Sequence, residues 1–288
     1  MKTIGFIGLG LMGEAMSKNI IKKFDGNVLV FDINQEAVAR VVNSGAIAAS
    51  SIAKLAEEAD VIISMVPRSE HVKAVYKELL PCLRSGKITI DMSTIDPAVS
   101  IELSHLVKET GALMLDAPVV KSVPAAVAAE LGIYIGGDNA AYEKVKPVLA
   151  MMGNNQIHLG GNGSGLVMKI LHNTLVAEIQ NSVNEMLATA DYFGISKENF
   201  NTAVSYGGGS NFYLTSKINT LIAENYDTVF SLENMAKDVS IMKAIMNEEN
   251  LILPGVELVN HIYQQGLHAN LGNEDFSATY KVVKDNIQ

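Results

Sequence analysis

The first half of the chain alternates two rhythms. Short β-rich runs at residues 3–7, 28–31, 61–66, 87–91, 113–116, 131–137 and 156–159 end in, or run into, glycine, proline or aspartate. Between them lie longer stretches, at 14–23, 51–58, 68–80, 97–110 and 139–152, with the apolar spacing and starting residues of helices. This alternation predicts a doubly wound, Rossmann-type α/β sheet closing near Asn162.

The rhythm then changes. After the glycine-rich hinge at 160–165, apolar residues fall at Leu166, Val167, Ile170, Leu171, Leu175, Val176, Ile179, Val183, Met186, Leu187, Ala190 and Phe193, which reads as one helix over 165–193 with a buried stripe. Beyond it the pattern is helical, with polar, glycine-bearing breaks at 206–211, 224–228, 248–251 and 265–272. Helices at 232–246 and 254–264 carry stripes (Met235, Val239, Met242, Ile245; Val256, Val259, Ile262) suited to a core or a subunit interface. Gly207–Gly209 is a candidate flexible lip. The division expected is a sheet domain at 1–162 and a helical domain at 163–288.

Composition narrows the function. With 288 residues, 48% hydrophobic and 18% charged, the chain can bury a large core. A net charge of −9 without a basic block disfavours nucleic acid and anionic membranes and leaves small molecules as partners. The start of the chain runs straight into a strand pattern instead of a secretory leader, so the cytoplasm is the default location. A lone Cys82 and six scattered histidines predict neither a disulfide framework nor a metal site.

Candidate chemistry begins at Gly8-Leu9-Gly10-Leu11-Met12-Gly13, which follows the first strand and opens a helix. Such a turn presents backbone N–H groups and the positive helix end to a pyrophosphate. Asp32 closes the second strand at the spacing of the dinucleotide fingerprint, roughly 20 residues on. Its carboxylate suits a ribose diol and repels a 2′-phosphate, so NAD is expected over NADP. Val66-Pro67 and Ser93-Thr94 follow later strands and are expected at the nicotinamide end, although Pro67 and Ser93 also suit plain helix starts. On the long helix, Gly165, Lys169 and Asn173 share a face, with a glycine too small to obstruct a ligand. Alone, such a lysine reads as a solvated surface residue.

Taken together, Gly8–Gly13 with Met16 and Asn19, Asp91-Met92-Ser93-Thr94, Asp116-Ala117-Pro118-Val119, Gly165 with Lys169 and Asn173, Lys237-Asp238, and Gly272 with Asp275, Ser277 and Ala278 resemble the β-hydroxyacid dehydrogenase family, which includes 3-hydroxyisobutyrate dehydrogenase and tartronate semialdehyde reductase. The resemblance spans nearly the whole chain. It implies a Rossmann-type domain, an interdomain helix with a catalytic lysine, and an all-helical domain that completes a homodimer or homotetramer. It further implies pyrophosphate contact at Leu11 and Met12, ribose contact at Asp32, nicotinamide-side contact at Val66, Pro67 and Thr94, cofactor closure at Lys237, general acid/base work at Lys169 and substrate positioning at Asn173.

Two departures bear on substrate. Val120-Lys121-Ser122 stands where the family reads Ser-Gly-Gly, and His172-Asn173 stands where it reads Asn-Asn. A lysine there adds charge and reach, which suits a larger or more anionic head group, and sulfolactaldehyde reductases of the family look similar at this loop. The expected substrate is a small anionic semialdehyde or hydroxyacid contacting Ser93, Lys121, Ser122, His172 and Asn173. In this scheme Lys169 gives the carbonyl oxygen its proton. A free lysine titrates near ~10.4, and burial beside a positive nicotinamide lowers that value. The alternatives are a non-catalytic dinucleotide-binding protein of the same fold and an imine reductase.

Overall fold

The computed structural model describes residues 1–287. It divides into two compact units, Met1–Lys169 and a second from Ile170 onward.

The first unit runs β1 (Thr3–Ile7), α1 (Leu11–Lys23), β2 (Asn27–Phe31), α2 (Gln35–Val42), β3 (Ile47–Ala48), α3 (Ile52–Glu58), β4 (Val61–Ser64), α4 (Ser69–Leu79), β5 (Ile88–Asp91), α5 (Pro97–Glu109), β6 (Leu113–Asp116), β7 (Val119–Val120), α6 (Val123–Val127), β8 (Gly132–Gly137), α7 (Asn139–Ala150) and β9 (Asn155–Gly160). The strands form one nine-stranded sheet in the order β3-β2-β1-β4-β5-β6-β8-β7, with β9 along β8. From β3 to β6 every pairing is parallel, whereas β8 pairs antiparallel with β6 and β7. The two-residue strands β3 and β7 and the short α6 are too brief to leave a periodic signal in the sequence.

Alternation along the strands explains the two-sided core. Ile4, Phe6, Val28, Val30, Val61 and Ile63 join one buried cluster with α1, α2 and α7, while Ile7, Leu29 and Ile62 join another with α3, α4 and α5. A strand buried on both faces reads as a continuous apolar run. Each buried Ile or Val adds roughly 1.5–3 kcal/mol.

The long helix α8 (Ser164–Tyr192) starts in the first unit and continues into the second, which adds α9 (Lys197–Ser205), α10 (Phe212–Ala223), α11 (Leu232–Glu248), α12 (Pro254–His268) and α13 (Thr279–Asp285). Its core joins Ala177, Val183 and Leu187 of α8 to Leu232, Met235, Val239, Val259, Ile262 and Tyr263. A buried polar chain fixes the register of α8. Gln180 Nε2 donates to the Phe276 carbonyl and to Thr279 Oγ1, each at 2.6 Å, and Tyr263 OH donates to Gln180 Oε1. The single buried stripe expected on α8 is in fact two. Leu166, Ile170, Val183 and Leu187 are buried, but Val167, Leu171, Leu175 and Met186 are exposed in the single chain. Among the described residues no helix is long and apolar enough to cross a membrane.

Candidate active site

The glycine turn is built as a phosphate cradle. Gly8 has φ +93°, and a side chain there would strike the Met65 carbonyl at 2.2 Å. Gly13 lies so close to the Gly8 carbonyl, at 1.9 Å from an added Cβ, that helix and strand can pack only with glycine there. Gly10 caps α1 and nothing lies within 4 Å of its missing side chain, so the helix N-terminus is open to an approaching anion. Leu11 and Met12 form the first turn, Leu11 strongly exposed.

Asp32 stands at the end of β2 with its carboxylate already oriented. Oδ2 accepts the Leu9 N–H at 2.6 Å and Oδ1 accepts the Asn34 N–H at 2.7 Å. The cap of α2 is Asn34, whose side chain accepts from Glu36 and Ala37, so Asp32 is not the helix cap. These residues fit a nicotinamide dinucleotide: an open helix end for the pyrophosphate, a carboxylate for a ribose, and a parallel sheet whose strand order reverses between β1 and β4.

Further along the same edge, Ser64, Asp91 and Asp116 end β4, β5 and β6 in register. Asp91 is fully buried. Its Oδ1 accepts the hydroxyls of Ser64 and Ser93, each at 2.7 Å, and the Ser93 hydroxyl in turn accepts the Val66 N–H at 2.9 Å. Ser93 was expected to touch substrate; its buried hydroxyl is engaged in tying the Val66–Pro67 segment to β5. Burial pushes the Asp91 carboxyl up to about 6 against the pull of the Ser93 and Ser64 hydroxyls. Thr94 follows, half-buried.

Lys121 is exposed and sits at φ +80°, a left-handed backbone unusual for any residue but glycine. Ser122 then caps the short α6 by position, without a side-chain bond. The helix that follows is tied to α1: Asn19 donates to the Ala126 carbonyl of α6 at 2.6 Å.

Lys169 is half-buried on the second turn of α8 and belongs to the first compact unit. Gly165, one turn earlier, packs tightly instead of opening space for a ligand: a Cβ there would lie 2.6 Å from the Tyr134 carbonyl and 2.9 Å from Asp116 Oδ2. In the second unit, buried Asn173 donates to Asp238 Oδ2 at 2.6 Å, and Lys237 forms an ion pair with Asp238 Oδ1 at 3.2 Å. His172 is half-buried beside Asn173. Among the described residues no group of His, Cys, Asp or Glu is arranged to hold a metal.

Sequence reasoning placed the Asp91–Thr94 segment at the nicotinamide end and used Asn19, Asp116 and Asp238 only as parts of the family pattern, without an individual role. A carboxylate closing an apolar strand, as at Asp91 and Asp116, is the available signal, because burying it demands donors from elsewhere in the chain.

An open helix N-terminus and an oriented carboxylate at the next strand end, on a parallel sheet, define a Rossmann-type dinucleotide-binding protein. Residues 3–160 match the model for the NAD binding domain of 6-phosphogluconate dehydrogenase, and residues 163–283 match that for the NAD-binding region of NADP-dependent 3-hydroxyisobutyrate dehydrogenase. An NAD-dependent L-serine dehydrogenase of Pseudomonas aeruginosa is 33% identical, over 98% of both chains. The 3-sulfolactaldehyde reductase of Escherichia coli is 30% identical over 99% of this chain and 96% of its own. The 3-hydroxyisobutyrate dehydrogenase of Mycobacterium tuberculosis, solved with L-serine, superposes with a TM-score of 0.92 at 29% identity over 99% of each chain. The chain belongs to the 3-hydroxyisobutyrate dehydrogenase family of hydroxyacid dehydrogenases and reductases, with NAD(P)-binding domains.

Proposed function

We propose that this enzyme interconverts a small anionic β-hydroxyacid and its semialdehyde, with NADH preferred over NADPH and Lys169 as general acid/base. The observation that carries this reading is Lys169 on a helix whose start is bonded to the end of β6, in the sheet that bears the dinucleotide cradle. A bound nicotinamide supplies or receives the hydride at the carbonyl carbon. The chain's own part is protonic and positional. In reduction the Lys169 ammonium gives its proton to the carbonyl oxygen, and in oxidation the neutral amine takes it back. Val66, Pro67 and Thr94 bound the nicotinamide side, and in the second unit Asp238 holds Asn173, a candidate for orienting the substrate.

The NAD preference is supported by Asp32, whose carboxylate would face a 2′-phosphate with like charge. A sulfonate or dianionic head group is supported by Lys121 and Ser122, an exposed ammonium followed by a hydroxyl at the start of α6. A homodimer or homotetramer is supported by the exposed row Val167, Leu171 and Leu175. The deciding experiment is NADH and NADPH oxidation with methylmalonate, tartronate and succinate semialdehydes and sulfolactaldehyde, comparing wild type with Lys169→Ala. The variant should bind NADH normally and lose turnover by orders of magnitude. Unchanged turnover, or wild-type preference for NADPH, would refute the corresponding part.

A further inference from the structure

Asp116 closes β6 with its side chain completely buried. Both oxygens are spent on one turn of backbone. Oδ1 accepts the Gly163 N–H at 2.7 Å and Oδ2 accepts the Leu166 N–H at 2.9 Å, residues 47 and 50 positions further along the chain. These donors belong to the start of α8, where a helix leaves N–H groups without internal partners and its dipole favours a negative charge. Charge-assisted bonds of this kind are short and directional.

The neighbouring contacts leave that turn little freedom. Asn162 Nδ2 donates to the Met114 carbonyl of β6 at 2.7 Å. Leu166 is buried in the cluster beneath the sheet. Gly165 is pressed against β8, with an added Cβ only 2.6 Å from the Tyr134 carbonyl and 3.0 Å from the Gly136 nitrogen. Lys169 stands four residues after Gly165 and three after Leu166, so its Cβ rises from the same helix face, about 6 Å along the axis. A displacement of the first turn therefore carries over to the lysine.

We propose that Asp116 is the positioning residue for the proton donor: by holding the Gly163 and Leu166 amides it fixes the first turn of α8, and with it Lys169, to the end of the sheet. The assignment rests on Lys169 being the general acid/base. Asp91 does the corresponding work one strand over, holding Ser93 and through it Val66. Two adjacent carboxylates thus set the proton donor and the nicotinamide wall from a single row of the sheet.

The test is a double-mutant cycle on the full-length enzyme. In Asp116→Asn one amide oxygen faces two backbone donors and the NH2 group opposes one of them, so the turn must shift. Displacement of a catalytic group by about 1 Å costs on the order of 100-fold, and kcat should fall by about 30–100-fold, with KM and the NADH dissociation constant changed less than threefold. In a Lys169→Ala background the same substitution should cost less than threefold, because the group it positions is gone. Asn162→Ala, which removes one flanking bond and leaves the carboxylate intact, should lower kcat several-fold with the same dependence on Lys169; it serves if Asp116→Asn does not fold. Full kcat in folded Asp116→Asn or Asn162→Ala, or an equal loss with and without Lys169, overturns the positioning role. Full turnover in Lys169→Ala alone overturns the underlying mechanism, and the positioning role with it.

Discussion

Replacing Lys121 by glycine should make the protein more stable and the enzyme worse. At φ +80° the residue occupies a backbone region that costs a non-glycine side chain roughly 1–2 kcal/mol. Glycine removes that strain, and its greater freedom in the unfolded chain returns about 0.4–1 kcal/mol of the gain. The net stabilisation is about 0.5–1 kcal/mol, an increase of roughly 1–4 °C in melting temperature for a protein of this size. Lys121→Ala discards the same ammonium but keeps the strain, so it should melt near wild type and below the glycine variant. For the reaction, both variants lose one hydrogen bond to a charged head group, about 1.5–3 kcal/mol, or roughly 10–100-fold in KM for sulfonate and dianionic aldehydes. Differential scanning fluorimetry and initial rates measure the two halves separately. A glycine variant no more stable than the alanine variant would refute the strain argument, and an equal rise in KM for every substrate would refute the head-group contact.

Other substitutions test the cofactor site and the buried row. Asp32→Ala should weaken NADH binding at least tenfold more than NADPH binding, and should also destabilise the glycine turn by about 1–3 kcal/mol through the lost Leu9 and Asn34 bonds; isothermal titration with both dinucleotides and a denaturant midpoint check the two effects. Asp91 supplies a pH signature. Burial raises its folded carboxyl to about 6, above the ordinary value of 3.8, so the folded state holds the proton more tightly than the unfolded one. The resulting destabilisation is absent below about 4, grows as pH rises to about 6 and is complete above it, on the order of 3 kcal/mol at most. Asp91→Asn should therefore gain stability relative to wild type across that window and run parallel to it at higher pH; parallel urea midpoints throughout would refute the assignment.

Much of the site was legible in linear order because its parts are local. Gly8, Gly10, Gly13 and Asp32 sit within one strand–helix–strand unit, and their spacing encodes both the turn and the phosphate-facing helix end. Lys169 became significant only through the resemblance, since one helix lysine looks like another. Ser93 and Gly165 also make contacts that linear order does not show: a serine bonded to Asp91 and Val66, and a glycine pressed against β8. Apart from Asp91, which is near Ser93 in the chain, these partners are distant in sequence, and periodicity carries no information about them.

The sequence by itself determined the two rhythms, the dinucleotide turn, the long helix and the order in which they follow one another, because backbone geometry with periods of 2 and 3.6 residues is specified by neighbouring side chains. Only the tertiary structure decided that β8 runs antiparallel to β6 and that half of the α8 stripe is exposed. It also decided that Asp116 grips the start of the helix bearing Lys169 and that Asn19 holds Ala126 of α6, 107 residues away. The physical reason is burial: a carboxylate or amide removed from water must find its partners wherever the fold brings them, and that choice is made by packing of distant segments.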